Sequence, residues 1–263
     1  MTFPATAQRI GLSALELDVL VEHLRLETMP LVLKVPSPGR THAERAQLVE
    51  SAWCSLGARG LGRPTAVDPE LERVLRLLAH PDREVDGRLW LERSVRVLAA
   101  AVGEEAVLVV KDGDELSLRS ASASGLPREA LSVLPQLPPG PGRSVSLLSS
   151  DLDAAAEEAG NNVEQLVGAL QRRGVRADDA ETLTDMVAGV AARGQFGAAA
   201  RDRFGRRVRA DRVVGFFDTA HGRYAQLRRE SPSGDVWSTI APADARRLNG
   251  HLEELLTEIS TDT

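Results

Sequence analysis

Cysteine is nearly absent from this chain of 263 residues, in which Cys54 is the single example. One thiol cannot build an intrachain disulfide, a cysteine-based zinc site or a CxxC redox centre, so these three devices are excluded. Lysine is almost as scarce, since Lys34 and Lys111 are the only lysines among 32 basic residues. The excess of arginine, together with abundant Ala, Leu, Val and Gly, is typical of a GC-rich genome and needs no functional cause.

Long apolar runs are missing as well. No segment approaches the roughly 20 apolar residues that cross a bilayer, and Glu16, Asp18 and Glu22 interrupt the place where the apolar core of a secretory signal would lie. The formal charge of −6 and the pI near 5.5 give no general attraction to nucleic acid or anionic lipid. We therefore expect a cytoplasmic protein that neither enters a membrane nor binds nucleic acid, with 43% hydrophobic residues to build its core.

The residue types that build catalytic or metal sites do not occur here at the spacings that such sites need. The 5 histidines form no HxxxH or HxH pair. The glycine-rich segment 57–62 follows a helix instead of a strand, and 140–142 contains a proline that lacks the N–H a phosphate loop needs. We expect no catalytic residue, no metal and no cofactor, and hence no enzyme. The alternative is an enzyme or small-molecule-binding α+β protein whose site converges only in three dimensions, with Arg143, Ser144 and His221 as candidates.

Helical and strand periodicities alternate in the first half of the chain. Thr41 with Glu44 forms a capping box, and Asp68 with Pro69 supplies an N-cap and a first-turn proline, so each pair predicts the start of a helix. The other predicted elements are a helix through 12–20, a strand at 30–35, strands at 85–91, 95–102, 106–110 and 115–119, and a short helix at 127–134. The strand at 106–110 is apolar on both faces, which indicates a central place in a sheet.

The second half repeats this order. A proline-dense connector at 135–142 precedes a strand at 144–148, and three amphipathic helices follow. The predicted strands at 85–119 form a first meander. The predicted second meander covers 195–201, 206–217, 222–229 and 235–239, before a final helix that opens at 241–244. The repeated order predicts an α+β fold with a central, mostly antiparallel sheet and packed helical bundles. We expect one domain over 1–263, with pseudo-twofold halves at 1–138 and 143–263.

An arginine-rich stretch in the second meander admits two interpretations. It contains Arg201, Arg203, Arg206, Arg207, Arg209 and Arg212. Phe204 lies among these cations and could be a stacking platform for nucleic acid. Asp202 and Asp211 interrupt the run, however. We therefore interpret the stretch as the exposed side of a twisted hairpin, where charge also protects a sheet edge from foreign strands.

Two motifs in the same region carry a family likeness. They are Gly-Gln-Phe-Gly at 194–197 and Val-Val-Gly-Phe-Phe-Asp-Thr at 213–219. With these motifs, the chain resembles the EspG family, the chaperones associated with ESX (type VII) secretion in actinobacteria. Further segments that match this family lie at 15–20, 33–37, 82–86 and 140–146.

The resemblance implies an α+β fold with a pseudo-twofold, mostly antiparallel sheet. It also implies a cytosolic chaperone that covers the apolar helical tip of a PE–PPE heterodimer, keeps this client soluble and marks it for its secretion system. An apolar tip is an aggregation hazard, and a concave surface with a polar rim can bury it selectively. For the chaperone itself we expect a monomer or a weak homodimer.

The residues expected to contact a client come from two places. In mycobacterial members of the family, a longer loop contributes to client contact where this chain has the short connector Glu92-Arg93-Ser94. The second meander adds four side chains that could line a client groove, namely Gln195, Phe196, Arg228 and Trp237. For Phe196 and Trp237, a place in the core is an equally good interpretation.

Overall fold

Helices and antiparallel strands build this protein, as the predicted α+β class requires. The computed structural model describes residues 9–160 and 162–261. Within that range two compact units are distinguished. The first comprises the described residues up to Arg88 with Ser94–Val133 and Ala199–Val208, and the second comprises Leu89–Arg93, Leu134–Ala198 and the residues from Arg209 onward. In the described part of the chain, no helix has the length and apolarity of a membrane span.

In the first unit, helices pack against one antiparallel sheet. Its elements are β1 (Ile10–Ser13), α1 (Ala14–His23), α2 (His42–Ala58), β2 (Gly62–Arg63), β3 (Ala66–Val67), α3 (Pro69–Ala79), β4 (Arg83–Leu91), β5 (Arg93–Val102), β6 (Glu105–Asp112), β7 (Glu115–Ser122) and α4 (Leu126–Leu131). The strand order is β1-β7-β6-β5-β4, and β2 and β3 form a separate ribbon. Strand β6 is interior to the order, as its two-sided apolar sequence predicts.

Local capping sets the helix starts of this unit. The Thr41 hydroxyl accepts a hydrogen bond from the Glu44 N–H at 3.2 Å, and the Asp68 carboxylate accepts one from the Leu71 N–H at 2.9 Å. Both predicted caps are thereby confirmed. A second capping box, between Ser13 and Glu16, starts α1.

Two predicted elements of this unit need correction, one in its start and one in its type. The helix predicted through 12–20 begins only at Ala14, because residues 10–13 pair with β7, with Leu12 opposite Leu116. The strand predicted at 30–35 is a single 3-10 turn at Leu31–Leu33. It buries Val32 and Leu33 in the core of the unit. A short apolar run is equally compatible with a strand and with a buried turn, so periodicity alone could not decide between them.

The second unit carries a helical bundle on one face of its strands. Its elements are β8 (Val145–Leu148), α5 (Ser149–Ala159), α6 (Val163–Arg172), α7 (Ala177–Val187), β9 (Ala192–Arg201), β10 (Arg207–Arg209), β11 (Val214–Thr219), β12 (Gly222–Glu230), β13 (Val236–Pro242) and α8 (Ala245–Thr261). The strand order is β9-β11-β12-β13-β8, while β10 pairs with β9. The last residues of β9 and most of β10 belong to the first unit. The strand predicted at 206–217 is therefore two strands, separated at 210–213.

The helices of the second unit bury the apolar faces that their sequences predict. Helices α5 to α7 bury Leu152, Leu170 and Leu183 against Tyr224 and Ile240 of the sheet. In α8, side chains three and four residues apart are buried, as expected for an amphipathic helix; they are Leu248, Leu252, Leu255 and Ile259.

The proline-dense connector is held firmly on β12. The N–H of Arg223 donates to the Pro138 carbonyl, and the N–H of Gly140 donates to the Arg223 carbonyl, both at 3.0 Å. A Cβ atom on Gly140 would lie 2.1 Å from the Tyr224 ring, so only glycine allows this approach. The connector is thus an ordered part of the second unit. The halves at 1–138 and 143–263, their pseudo-twofold relation and the single domain over 1–263 stay predictions.

Candidate functional site

On one face of the second unit's strands, two amide side chains lie on either side of a glycine. Gly215 of β11 lies opposite Gln195 of β9 on one side and opposite Gln226 of β12 on the other, and Gln226 lies opposite Ile240 of β13. Residues directly opposite each other in an antiparallel ladder point to the same face. Gly215 contributes no side chain to that face, and a Cβ atom there would approach the Gln226 carbonyl oxygen to 3.0 Å. Gly215 therefore leaves a depression in the sheet surface between the amides of Gln195 and Gln226.

Around this depression lies an open groove of about 530 Å³, which we call the amide groove. It is lined by Gly194, Gln195, Asp211, Arg212, Val213, Gly215, Gln226, Arg228, Glu230 and Val236. Two arginines and two carboxylates balance the formal charge of this lining. The amides of Gln195 and Gln226 can each donate and accept hydrogen bonds.

The two groove arginines differ in how firmly they are held. Arg212 forms an ion pair with Glu258 of α8 through Nη2, and its side chain is only 14% exposed. Its Nη1 is buried and has no hydrogen-bond partner among the described residues. Arg228 is half exposed and pairs with Asp153 of α5, with Nη1 3.0 Å from Oδ2. The groove thus holds one fixed cation with an unused donor and one cation in a weaker surface pair.

The groove also has an apolar component. Val236 at the start of β13 is 43% exposed. It lies opposite Glu230, on the same face as Arg228. An apolar side chain beside several directed donors suits a peptide segment better than a metal ion. Among residues 9–160 and 162–261, no group of three or more His, Cys, Asp or Glu could hold a metal.

The structure separates Gln195 from Phe196, which were predicted together. Gln195 is exposed in the amide groove, whereas Phe196 points to the other face. Phe196 is fully buried and stacks on Phe216, with 5.8 Å between the ring centroids. The prediction that Phe196 lines a client groove is therefore wrong, because no partner at the surface can reach it. Arg228 does line the groove.

Trp237 and the connector residues lie outside the amide groove. Trp237 is 41% exposed and lies opposite Arg229, on the face away from Val236. Glu92 alone joins β4 to β5, with φ of 63°, and Arg93 and Ser94 already belong to β5. All three connector residues are exposed. Contact between a client and any of these four residues stays a prediction.

Sequence inspection missed Arg212, Gln226 and Val236. A signal existed for Gln226, because residues two apart in the strand predicted at 222–229 lie on one face, which places Gln226 beside Arg228. No local pattern marks Arg212, whose role depends on Glu258, 46 residues away along the chain.

The candidates for a hidden catalytic site lie apart from the groove lining. Arg143 forms an ion pair with Asp179 at 2.6 Å. His221 occupies the β11–β12 turn, where its N–H donates to the Thr219 hydroxyl at 3.1 Å. In the described part of the chain, no hydrogen bond or ion pair joins Arg143, Ser144 and His221 to one another.

Comparisons with known proteins agree on one relationship. The model of the EspG family matches residues 13–254. The ESX-1 secretion-associated protein EspG1 of Mycobacterium marinum (strain ATCC BAA-535 / M) is 25% identical over 249 residues, which cover 90% of this chain and 84% of that protein. The Mycobacterium tuberculosis type VII secretion system chaperone EspG5, solved in complex with a PE25–PPE41 dimer, matches with a TM-score of 0.71 and 18% identity. This match covers 96% of this chain and 97% of that one, and at such an identity it shows the shared fold.

Proposed function

The chain belongs to the EspG family, and from this membership we propose that it is a chaperone and adaptor of type VII (ESX) secretion. In this role it binds the apolar helical tip of a PE–PPE-like heterodimer in the cytoplasm, keeps the heterodimer soluble and delivers it for export. The observation that carries this function is the family match over 13–254. The related EspG5 was solved with a PE25–PPE41 dimer bound, which supports the class of client.

The amide groove is the surface that we assign to the client. The C-terminal end of a helix leaves four backbone carbonyls without intrahelical partners, and the amides of Gln195 and Gln226 in the groove are donors that could satisfy them. Val236 offers an apolar contact for the hydrophobic residues of the same tip. The exposed hairpin at Glu92 is a second proposed contact.

Release of the client requires that the complex be reversible. The Arg228–Asp153 pair is half exposed on both sides, and exchanging such a pair for a client contact changes the free energy by about 1 kcal/mol or less. A groove lined by amides and balanced charges gains less from burial than an apolar surface of the same size. A modest, polar-rimmed interface is therefore expected.

Co-expression tests the proposal directly. The chain is produced with the PE–PPE pair encoded nearest to its own gene, and the mixture is separated by size-exclusion chromatography. We expect the three polypeptides to co-elute, and the PE–PPE pair to aggregate when the chaperone is omitted. If no PE–PPE pair of the source organism co-elutes with the chain, the proposed function is overturned.

A further inference from the structure

Phe204 is displayed to solvent at the tip of the β9–β10 hairpin, in the first compact unit. Its side chain is 68% exposed. The guanidinium carbons of Arg203 and Arg206 lie 4.9 and 5.4 Å from the centre of its ring. Each distance is within the range of a cation–π contact. The tip thus presents one aromatic ring between two cations.

The turn that carries this ring is held in one conformation. The Asp202 carboxylate accepts hydrogen bonds from the N–H of Phe204 at 2.9 Å and from the N–H and Nε of Arg206, both at 2.8 Å. The Gly205 N–H donates to the Asp202 carbonyl at 2.8 Å, and Gly205 has a φ of 76°, which glycine adopts without strain. Burial by itself raises the pKa of Asp202, but the bonds from Arg206 and Phe204 lower it overall. The carboxylate therefore stays charged and keeps the turn closed.

The base of the hairpin is fastened as well. Arg201 donates from Nε to the Pro81 carbonyl at 3.1 Å and from Nη1 to the Gly205 carbonyl at 2.6 Å. Arg207 forms an ion pair with Glu84, which is buried. A surface that is already rigid loses little conformational entropy when it binds. Scattered exposed apolar residues are normal on proteins, but a fixed ring between two cations is a more specific arrangement.

The distribution of charge argues against nucleic acid as the partner. Arg201, Arg207 and Arg212 are engaged by carbonyls or carboxylates of the chain, and Arg209 also has an interaction partner. The cations directed at solvent are Arg203 and the terminal nitrogens of Arg206, whose side chain is 75% exposed. Binding along a phosphate backbone draws on many such contacts, and the chain as a whole carries −6.

We propose that Arg203, Phe204 and Arg206 form a docking knob for a second protein, which offers an apolar pocket rimmed by carboxylates. Phe204 enters the pocket, and the two guanidinium groups pair with the rim. Phenylalanine and arginine are both enriched at the centres of protein interfaces. The knob uses none of the residues that line the amide groove.

A selection experiment tests the chemistry of this partner. A random-peptide phage library is selected on the full chain and counter-selected on the Phe204→Ala variant. We expect the enriched peptides to combine Asp or Glu with bulky apolar residues. The binding of a synthetic copy should weaken about tenfold in Phe204→Ala. Arg203→Ala should weaken binding and reduce its dependence on salt. Arg203 makes no ion pair among the described residues, so this variant tests the knob even if Phe204→Ala folds poorly.

The matched control is Trp90→Ala. Trp90 is an exposed aromatic residue of β4, at 52% exposure, and its loss should leave peptide binding unchanged. Peptides without acidic residues, a lack of enrichment, or equal binding by Phe204→Ala would each overturn the proposal. Phe204-dependent binding of single-stranded oligo(dT) that displaces the peptide would show a nucleic-acid surface instead. Concentration-dependent dimerisation that requires Phe204 would show a contact between copies of this chain.

Discussion

Asp218 and Arg223 face each other across the β11–β12 ladder and form a buried ion pair with two contacts. Nε of Arg223 lies 2.7 Å from Oδ1, and Nη2 lies 2.9 Å from Oδ2. The Arg223 and Asp218 side chains are 0% and 5% exposed. Nη2 also donates to the Pro135 carbonyl at 2.9 Å, so the pair joins the hairpin to the connector. Asp218 is the aspartate of the family motif at 213–219, which gives that motif a structural role.

Breaking this pair should destabilise the protein strongly. Arg223→Met leaves a buried carboxylate without its cation, and we expect the free energy of unfolding to fall by about 3–5 kcal/mol. Chemical denaturation followed by circular dichroism measures the change. In the control, Arg229→Met removes the half-exposed pair with Glu254 and should cost at most about 1 kcal/mol. Equal losses in the two variants would contradict the importance of burial.

Two glycines should respond in opposite ways to the same substitution. Gly140→Ala forces a methyl group against the Tyr224 ring, and we expect a loss of about 1–3 kcal/mol in the free energy of unfolding. Gly250→Ala lies in α8, where a Cβ atom would meet nothing within 4 Å, so a gain of about 0.5–1 kcal/mol is expected. Thermal unfolding distinguishes the two. A Gly140→Ala variant as stable as the wild type would show that the connector can move away from Tyr224.

The assignment of the client to one face of the sheet can be tested with neighbouring residues. Val236 lines the amide groove, and Trp237 points to the opposite face at nearly the same exposure. Val236→Asp should weaken binding of a PE–PPE pair about tenfold or more, because it places an unpaired charge in the interface. Trp237→Asp should weaken it less, because Trp237 lies outside the groove. Isothermal titration calorimetry measures both, and a larger effect of Trp237→Asp would place the client on the other face.

Acid should destabilise the first unit through Glu16, which is 4% exposed. Burial by itself raises the pKa of this carboxyl, but hydrogen bonds from Ser13, Ser55 and Arg59 lower it overall. A carboxyl whose pKa is lower in the folded state stabilises the protein above its unfolded pKa of about 4.3 and loses that contribution as the pH falls through the folded value.

We therefore expect the urea midpoint of the wild type to fall more than that of Glu16→Gln between about pH 5 and about pH 3. The variant should be the less stable protein at neutral pH, since it loses the charged partner of Arg59. If the urea midpoints of the two proteins fall equally over this pH range, the role of Glu16 is contradicted.

Features that depend on near neighbours in the chain were predictable. The cap at Thr41 uses Glu44, three residues away, and the cap at Asp68 uses the N–H of Leu71. Both can be recognised from local sequence because every participant lies within one helical turn. The turn at Leu31–Leu33 was not predictable, since burial of Val32 and Leu33 by distant residues determined its form.

The sequence by itself determined the fold class, the family and the exclusion of an intrachain disulfide, because composition, periodicity and motifs are properties of the chain alone. Only the tertiary structure decided which residues reach a partner. Gln195 and Phe196 are neighbours, yet one is exposed in the groove and the other is fully buried. Adjacent strand residues point to opposite faces, and the open face depends on how β9, β11, β12 and β13 align and on which parts the helices cover.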